Sequence, residues 1–494
     1  MLTTILPQEM QALEKQWMQE TGVPGILLME YAARGAAEAL KELLPSLGRV
    51  LFLCGPGNNG GDGYAAARIW QELGGESLIW ELTEAAKGDA LTNRTLAKLM
   101  NIPIHTLKDA PETLPEVAGI ADALFGTGLS RAVEGTAAAV IRLVNASGLP
   151  VLAVDIPSGL DGTAGRPLGE TVRADVTVTF HRPKQGLVME EAAPWVGRLK
   201  VCPILIPEAY GEVAGLRILE EKDLPGIFPA RPVNAHKGML GRLVILAGSR
   251  GMAGAAALCA RAAIRSGAGL TTLLCRAETL PVLQTLVPGA TCRVLEETSP
   301  EEGKKLLQAA DAAIIGPGLG QEELLQPWLR LFREADCPVV WDADALNLLS
   351  GHPELMPLKE NAVITPHPGE AARLAGREPD RSAMLRRLRE KCGCHVLLKG
   401  CRTLMTDGSR TAVNLCGSPA LAKGGSGDTL AGILGALLCR KTAAEKRGET
   451  APDTLTVLQA ACLKHGLAGQ RLARRLGEDA LLPEELAEGL TENP

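Results

Sequence analysis

Short apolar runs that end in glycine-rich turns and lead into helical segments recur along this chain, and this alternation constrains its fold most. The clearest instance begins at Arg49 and reads RVLFLCGPGNNGGDGYAAARIWQELGG. Val50 to Cys54 has the composition of a strand, Gly55 to Gly63 that of a turn, and the remainder a helix ending at Gly74. Similar strand-like runs are Ser77–Trp80, Ala123–Phe125, Val151–Val154 and Val176–Thr179. Strands separated by helices imply right-handed crossovers and a mostly parallel sheet. Before them, Gln8 to about Leu44 carries apolar positions at helical spacing, with Pro45 as a stop. From about Pro207 to Lys237, proline, glycine and charge dominate, as in a connector. The rhythm restarts at Arg242, with later strands at Ala312–Ile315, Val339–Trp341, Ala362–Thr365 and His395–Lys399. A chain of 494 residues is too long for one ordinary core. The expected architecture is two tandem α/β domains, residues 1–215 and 216–494.

Composition narrows the chemistry. Aromatic residues make up 3% and glycines number 55, so cores of Ala, Val, Leu and Ile with tight helix packing are expected. The net charge of −6, with no basic stripe, excludes nucleic acid as an expected partner. Twelve cysteines occur without CxxC pairs, which fits reduced buried thiols. The charged N-terminus is unlike a signal peptide, and no apolar run has membrane-spanning length. The expected setting is cytoplasmic.

KGGSGDTLAG, Lys423 to Gly432, carries the strongest chemical signal. Unpartnered N–H groups at a helix start attract phosphate, and glycines allow close approach. A carboxylate there, Asp428, repels phosphate unless it takes a proton from a hydroxyl that attacks it. The motif lacks the GK[ST] ending of a P-loop. LKGCRT places Lys399 at a strand end, where it can meet phosphates. TPHPGEAARL sets His367 and Glu370 between a buried strand and a helix. WDADALNLL puts Asp342 and Asp344 at a strand end, facing a magnesium ion or capping the next helix. The glycines of GPGLG, Gly316 to Gly320, permit close ligand approach or simply form a turn.

In the first half, GPGNNGGDG satisfies GxGxxG, and Glu76 lies at a suitable spacing for a ribose contact. Asn58, Asn59 and Asp62 are unusual for an ordinary dehydrogenase turn; Asp62 is either a site residue or a helix N-cap. DALFGTGLSR, Asp122 to Arg131, and VLAVDIPSGLDG, with Asp155 and Ser158, add two more polar loops at strand ends. Ligands in open α/β sheets bind outside the carboxyl ends of strands, so the three loops are expected to line one pocket.

GPGNNGGDG, DALFGTGLSR and VDIPSGLDG together resemble the epimerase domain of bifunctional NAD(P)H-hydrate repair enzymes, over roughly Ile5 to Ile206. From about Leu219 to Leu472 the chain is similar to the dehydratase domain of the same enzymes, a ribokinase-like fold. The resemblance implies a Rossmann-like three-layer sandwich followed by a ribokinase-like one. It implies hydrate binding by Asn58, Asn59, Gly60, Gly61 and Asp62, and by Gly126, Thr127, Gly128, Leu129, Ser130, Arg131 and Ala132. Asp155 would face the reacting ring, with acid/base action our mechanistic expectation; Asn59, Asp122 and Ser158 would hold potassium. In the second half, Gly318, His367, Pro368, Gly369, Glu370 and Arg373 would bind hydrate. Lys399, Gly400, Cys401, Arg402 and Thr403, with the run from Ser418 through Lys423, Gly424, Gly425, Ser426 and Gly427, would bind ADP with Mg2+. Asp428 would act on the hydrate hydroxyl. Substrates would be NADHX and NADPHX, and a homo-oligomer is expected by analogy. KGGSGD alone also permits a small-molecule kinase, the non-catalytic alternative being a nucleotide sensor.

Overall fold

A computed structural model of the chain describes residues 1–84, 87–228, 231 and 233–490. It divides into two compact units, Leu2–Leu216 and Arg217–Pro494, the latter with Met1.

The first unit is built on a wholly parallel sheet of strands β1 (Arg49–Cys54), β2 (Glu76–Glu81), β3 (Ile104–Thr106), β4 (Gly119–Ala123), β5 (Val151–Val154), β6 (Val176–Phe180) and β7 (Arg198–Cys202). The spatial order is β3-β2-β1-β4-β5-β6-β7. Strand β1 shows why the sheet is central. Val50, Phe52 and Cys54 enter one core, and Leu51 and Leu53 enter the core on the opposite face. Buried on both faces, a strand reads as a continuous apolar run. Helices α1 (Pro7–Thr21), α2 (Gly25–Leu43) and α3 (Asn58–Glu72) supply buried side chains to the first core. Helices α4 (Gly88–Leu99) and α5 (Gly135–Ala146) follow, and α5 packs Val140, Ile141 and Val144 into the second.

Two local expectations change. The helix anticipated from Gln8 to Leu44 is two helices, because Gly22 ends the first in a left-handed conformation (φ 71°) and Pro24 precedes the second. The run Ala123–Phe125 is not a strand; β4 ends at Ala123 and the next residues form the loop. The strand was concealed because Gly119 and Asp122 interrupt its apolar pattern.

In the second unit the strands are β8 (Arg217–Ile218), β9 (Arg242–Leu246), β10 (Leu270–Cys275), β11 (Thr291–Val294), β12 (Ala312–Ile315), β13 (Val339–Trp341), β14 (Val363–Ile364), β15 (His395–Leu398), β16 (Leu404–Thr406) and β17 (Thr411–Val413). They follow the order β8-β17-β16-β15-β14-β13-β12-β9-β10-β11. Pairing is parallel from β11 to β15, and antiparallel where β15, β16 and β17 meet. Part of the anticipated connector is therefore strand: Arg217 pairs with Ala412. Residues 229, 230 and 232 of that connector lie outside the described residues. Helices α6 (Ala253–Arg265), α7 (Asp344–Gly351), α8 (Pro368–Ala375), α9 (Ser426–Lys446) and α10 (Thr454–Leu476) concern the site below. Helices α6, α9 and α10 share one large core with the sheet. Among the described residues, no helix is long and apolar enough to cross a membrane.

Candidate functional site

Each unit gathers its chemically distinctive residues at the carboxyl ends of its strands. In the first unit, β1 runs into α3 through a turn that only glycine permits at its closest point. A Cβ on Gly60 would sit 1.8 Å from the Gly55 carbonyl oxygen. Helix α3 already begins at Asn58, so Asp62 lies inside its first turns and is not the N-cap. Burial, followed by the charges of Asp155 and Glu14, pushes the Asp62 carboxyl well above the usual range. Glu76 lies at the other end of the sheet, where it pairs with Arg49 (2.8 Å). It is therefore removed from the glycine-rich turn and is no ribose contact there.

Asp122 is fully buried at the end of β4. Its carboxylate accepts from the Ser158 hydroxyl (2.6 Å), the Ser158 N–H (2.7 Å) and the Leu124 N–H (3.3 Å). Burial pushes it up to about 6 against these bonds. Ser158 Oγ in turn accepts from the Phe125 N–H (2.8 Å). Asn59 reaches the same loop: a Cβ on Gly126 would lie 3.1 Å from its amide carbon. Both polar atoms of the Asn59 amide are buried without a hydrogen-bond partner. Such orphaned groups carry a substantial desolvation penalty and call for a ligand. Thr127, Gly128, Leu129, Ser130, Arg131 and Ala132 continue this loop with partly or fully open surface. Thr127 Oγ1 accepts from Gln11 Nε2 (3.1 Å).

Asp155 follows β5 in a left-handed conformation (φ 67°), which is uncommon for a residue other than glycine. Its Oδ1 lies 2.6 Å from Lys184 Nζ and accepts from Thr179 Oγ1 at 3.1 Å.

The second unit centres on Asp428, the third residue of α9. Gly425 precedes the helix at φ 98°, a turn suited to glycine. Burial, then the charges of Asp342, Asp344 and Glu370, push Asp428 up to about 7, with Lys399 pulling the other way. The Lys399 ammonium donates to Asp342 Oδ1 (2.7 Å) and lies 4.0 Å from Glu370 Oε2. It also faces the glycine loop, since a Cβ on Gly427 would be 3.4 Å away. Asp342 accepts from Thr365 Oγ1 (2.7 Å). Asp344 accepts from the Gly320 N–H (2.9 Å). Neither aspartate caps α7, whose N-cap is Ala343 in an unusual backbone conformation (φ 48°, ψ −116°). That kink directs the neighbouring carboxylates to different partners.

The other expected residues fall around this centre. The Gly318 carbonyl accepts from Ser249 Oγ (3.0 Å), joining two loops. His367 caps α8: its Nδ1 accepts from the Gly369 N–H (3.0 Å), and Glu370 accepts from the His367 N–H (2.8 Å). Pro368 opens that helix, and Arg373 donates to Asn347 (3.0 Å). Arg381 pins the loop after Lys399 by donating to the carbonyls of Leu398, Lys399, Cys401 and Arg402. Gly400 and Cys401 are exposed there, and the Thr403 hydroxyl donates to the Gly400 carbonyl (3.0 Å). Lys423 points its ammonium at the carbonyls of Asp479 and Leu481 (2.6 Å each). Its side chain therefore anchors the loop, leaving Gly424 to Gly427 to present backbone groups. Among the described residues, no group of three or more His, Cys, Asp or Glu side chains is arranged to hold a metal.

Two family descriptions match the chain: NAD(P)H-hydrate dehydratase over residues 243–492, and YjeF-related protein N-terminus over residues 26–186. A bifunctional NAD(P)H-hydrate repair enzyme from Coxiella burnetii is 35% identical across 98% of this chain and 98% of its own. The chain belongs to the bifunctional NAD(P)H-hydrate repair enzyme family. A relative of the same description from Escherichia coli is 36% identical across 93% of this chain and 87% of its own. Among solved structures, an ADP/ATP-dependent NAD(P)H-hydrate dehydratase from Bacillus subtilis, co-crystallised with ATP and Mg2+, is 28% identical. It covers 56% of this chain and 96% of that one, with a TM-score of 0.47.

Several residues at the two candidate sites carry no motif. Lys184 and Glu14 join the first, with Thr179; His465 joins the second. His465 Nε2 lies 3.1 Å from the buried Ser426 hydroxyl, and burial holds the imidazole down at about 4. The only sequence signal for Lys184 is its place four residues beyond β6. His465 lies inside an ordinary apolar helix and gives none.

Proposed function

We propose that the first unit interconverts the C6 epimers of NADHX and NADPHX, and that the second dehydrates the S epimer using ADP. The observation carrying this reading is Asp428: a carboxyl held at about 7, behind a glycine turn, at a helix N-terminus. It takes the proton of the C6 hydroxyl, whose oxygen attacks the terminal phosphoryl group of ADP, and AMP departs. The nitrogen lone pair of the ring then expels phosphate from C6, and C5 loses a proton, which restores the dihydropyridine. Backbone N–H groups of Gly424 to Gly427 stabilise charge on the phosphoryl oxygens. Lys399 to Thr403 bind the nucleotide, and Gly318 with His367 to Arg373 bind the hydrate. The carboxyl groups of Asp342, Glu370 and Asp428 act on the ammonium of Lys399, and that of Asp344 acts on Asp428. Polyphosphate entering so acidic a site requires neutralisation, which Mg2+ would supply when bound with the nucleotide.

In the first unit, inversion at C6 needs a bond to that carbon to break: the hydroxyl proton passes to the ring nitrogen as C6–N1 opens to an aldehyde, and returns to oxygen as the ring closes on the other face. Asp155 is the group for that transfer. Asn58 to Asp62 and Gly126 to Ala132 hold the ligand. The residues fit a potassium ion held by Asn59, Asp122 and Ser158. The orphaned Asn59 amide and a buried carboxyl balanced only by neutral donors offer oxygen ligands to a hard cation. Such an ion would supply countercharge to Asp122 and would stiffen the loop that follows. The enzyme is expected to act in the cytoplasm, as a homo-oligomer.

The test is recovery of dihydronicotinamide absorbance from a racemic NADHX mixture, with ADP and with ATP. Complete recovery with nucleotide supports both activities. A stable phosphorylated product in place of NADH would instead make the second unit a small-molecule kinase.

A further inference from the structure

The first unit buries a lysine outside the motifs. Lys184 is 1% exposed, with its ammonium 5.9 Å from the centre of the Phe180 ring. Its ammonium lies 2.6 Å from Asp155 Oδ1 and donates to Thr179 Oγ1 at 3.1 Å and to the Phe180 carbonyl at 3.4 Å. The Thr179 hydroxyl donates to Asp155 Oδ1, closing a triangle of three hydrogen-bonding groups. The corners are set by separate pieces of backbone. Thr179 stands in β6, and Asp155 follows β5 at a positive φ. Lys184 lies in a segment tied to the chain start, where Ile5 N–H donates to the Pro183 carbonyl and Gln185 N–H to the Ile5 carbonyl.

A structural ion pair requires one carboxylate. Here Glu14 from α1 and Asp62 from α3 crowd the same ammonium. Burial raises both, the Asp155 charge raises both further, and Lys184 opposes the rise. The neighbouring His181 imidazole is pushed down to about 4 by burial and by the charges of Arg182 and Lys184. Two carboxyl groups raised by burial thus surround the one that the lysine contacts directly.

We propose that Lys184 is a positioning residue for epimerisation: with Thr179 it fixes the Asp155 carboxylate so that its free oxygen faces the hydroxyl of the hydrate. A side chain that hands a proton across must be held by packing and by partners of its own. Lys184 and Thr179 both engage Oδ1, leaving Oδ2 for the substrate proton. This assignment rests on the first unit being the epimerase, so interconversion by the wild type is measured first.

The experiment follows a purified epimer converting to the other without nucleotide, resolved chromatographically, for wild type, Lys184→Gln, Lys184→Arg and Thr179→Val. Lys184→Gln is expected to lower kcat by roughly 10²-fold, with KM changed little, as for loss of an oriented acid/base group. Lys184→Arg is expected to restore part of that loss. Dehydration of the pure S epimer with ADP should match wild type in every variant, reporting intact protein. Should Lys184→Gln fail to fold, Thr179→Val gives the same comparison with a smaller fall in kcat. Unchanged kcat in the folded variants, or a rise in KM alone, would overturn the proposal. Absence of interconversion in the wild type would overturn the epimerase reading itself.

Discussion

Asp428 combines two opposing demands in one side chain. To take a proton near neutral pH it must hold one with an affinity near that pH, and burial beside Asp342 supplies this. The proposed base role needs the ionised form, so kcat/KM for dehydration should rise with pH through about 7 and then level. The linkage to stability runs the other way. The folded carboxyl titrates near 7 and the unfolded one near 3.8, so between them the folded state binds the extra proton. Stability therefore falls as pH rises through that window, and the full penalty stands above 7. Asp428→Asn should abolish dehydration yet stabilise the second unit at pH 8 by about 1–2 kcal/mol, measured by urea denaturation. Ala343, between the two aspartates, holds a positive φ of 48°. Ala343→Gly removes a Cβ from a conformation suited to glycine and should stabilise by about 1 kcal/mol. Lower dehydratase activity in this folded variant would accompany it if the kink holds Asp342 and Asp344 in place.

At the scale of elements, each site depends on how closely a helix can approach. A Cβ on Gly432 of α9 would stand 2.1 Å from the Cys259 carbonyl of α6. Gly432→Ala must push the two helices apart, and overpacking of this kind typically costs about 1–3 kcal/mol. Because Asp428 lies one turn earlier on α9, dehydration should fall along with thermal stability, while epimerisation remains as a control. The glycines that permit such approaches were legible in the sequence, as were KGGSGD and GPGNNGGDG, because a turn and the helix it starts are neighbours in the chain. The strands β5, β12 and β13 were legible for the same local reason. What could not be read is pairing across distance. Lys399 meets Asp342 from 57 positions away, and Lys184 meets Asp155 only because β5 and β6 are adjacent in the sheet. The expected helix from Gln8 to Leu44 missed its break for a different reason: the apolar spacing persists through Gly22 and Pro24, and only the backbone reveals the interruption.

For the molecule as a whole, the pairing of activities has a kinetic consequence. A dehydratase site that admits one epimer leaves the other stranded unless something interconverts them, so the first unit determines the extent of repair and the second its nucleotide dependence. With Asp155→Asn, recovery of NADH from a racemic mixture should proceed at the wild-type initial rate, then stop near half, with the rest appearing only as fast as the epimers interconvert unaided. With Asp428→Asn, no NADH should appear at any time, although the two epimers should still equilibrate. Mixing the two variants in one tube should restore complete recovery, because the intermediate is an epimer free to diffuse from one chain to another. Failure of the mixture to exceed half recovery would mean that the first unit of the Asp428→Asn chain does not release the epimer it forms.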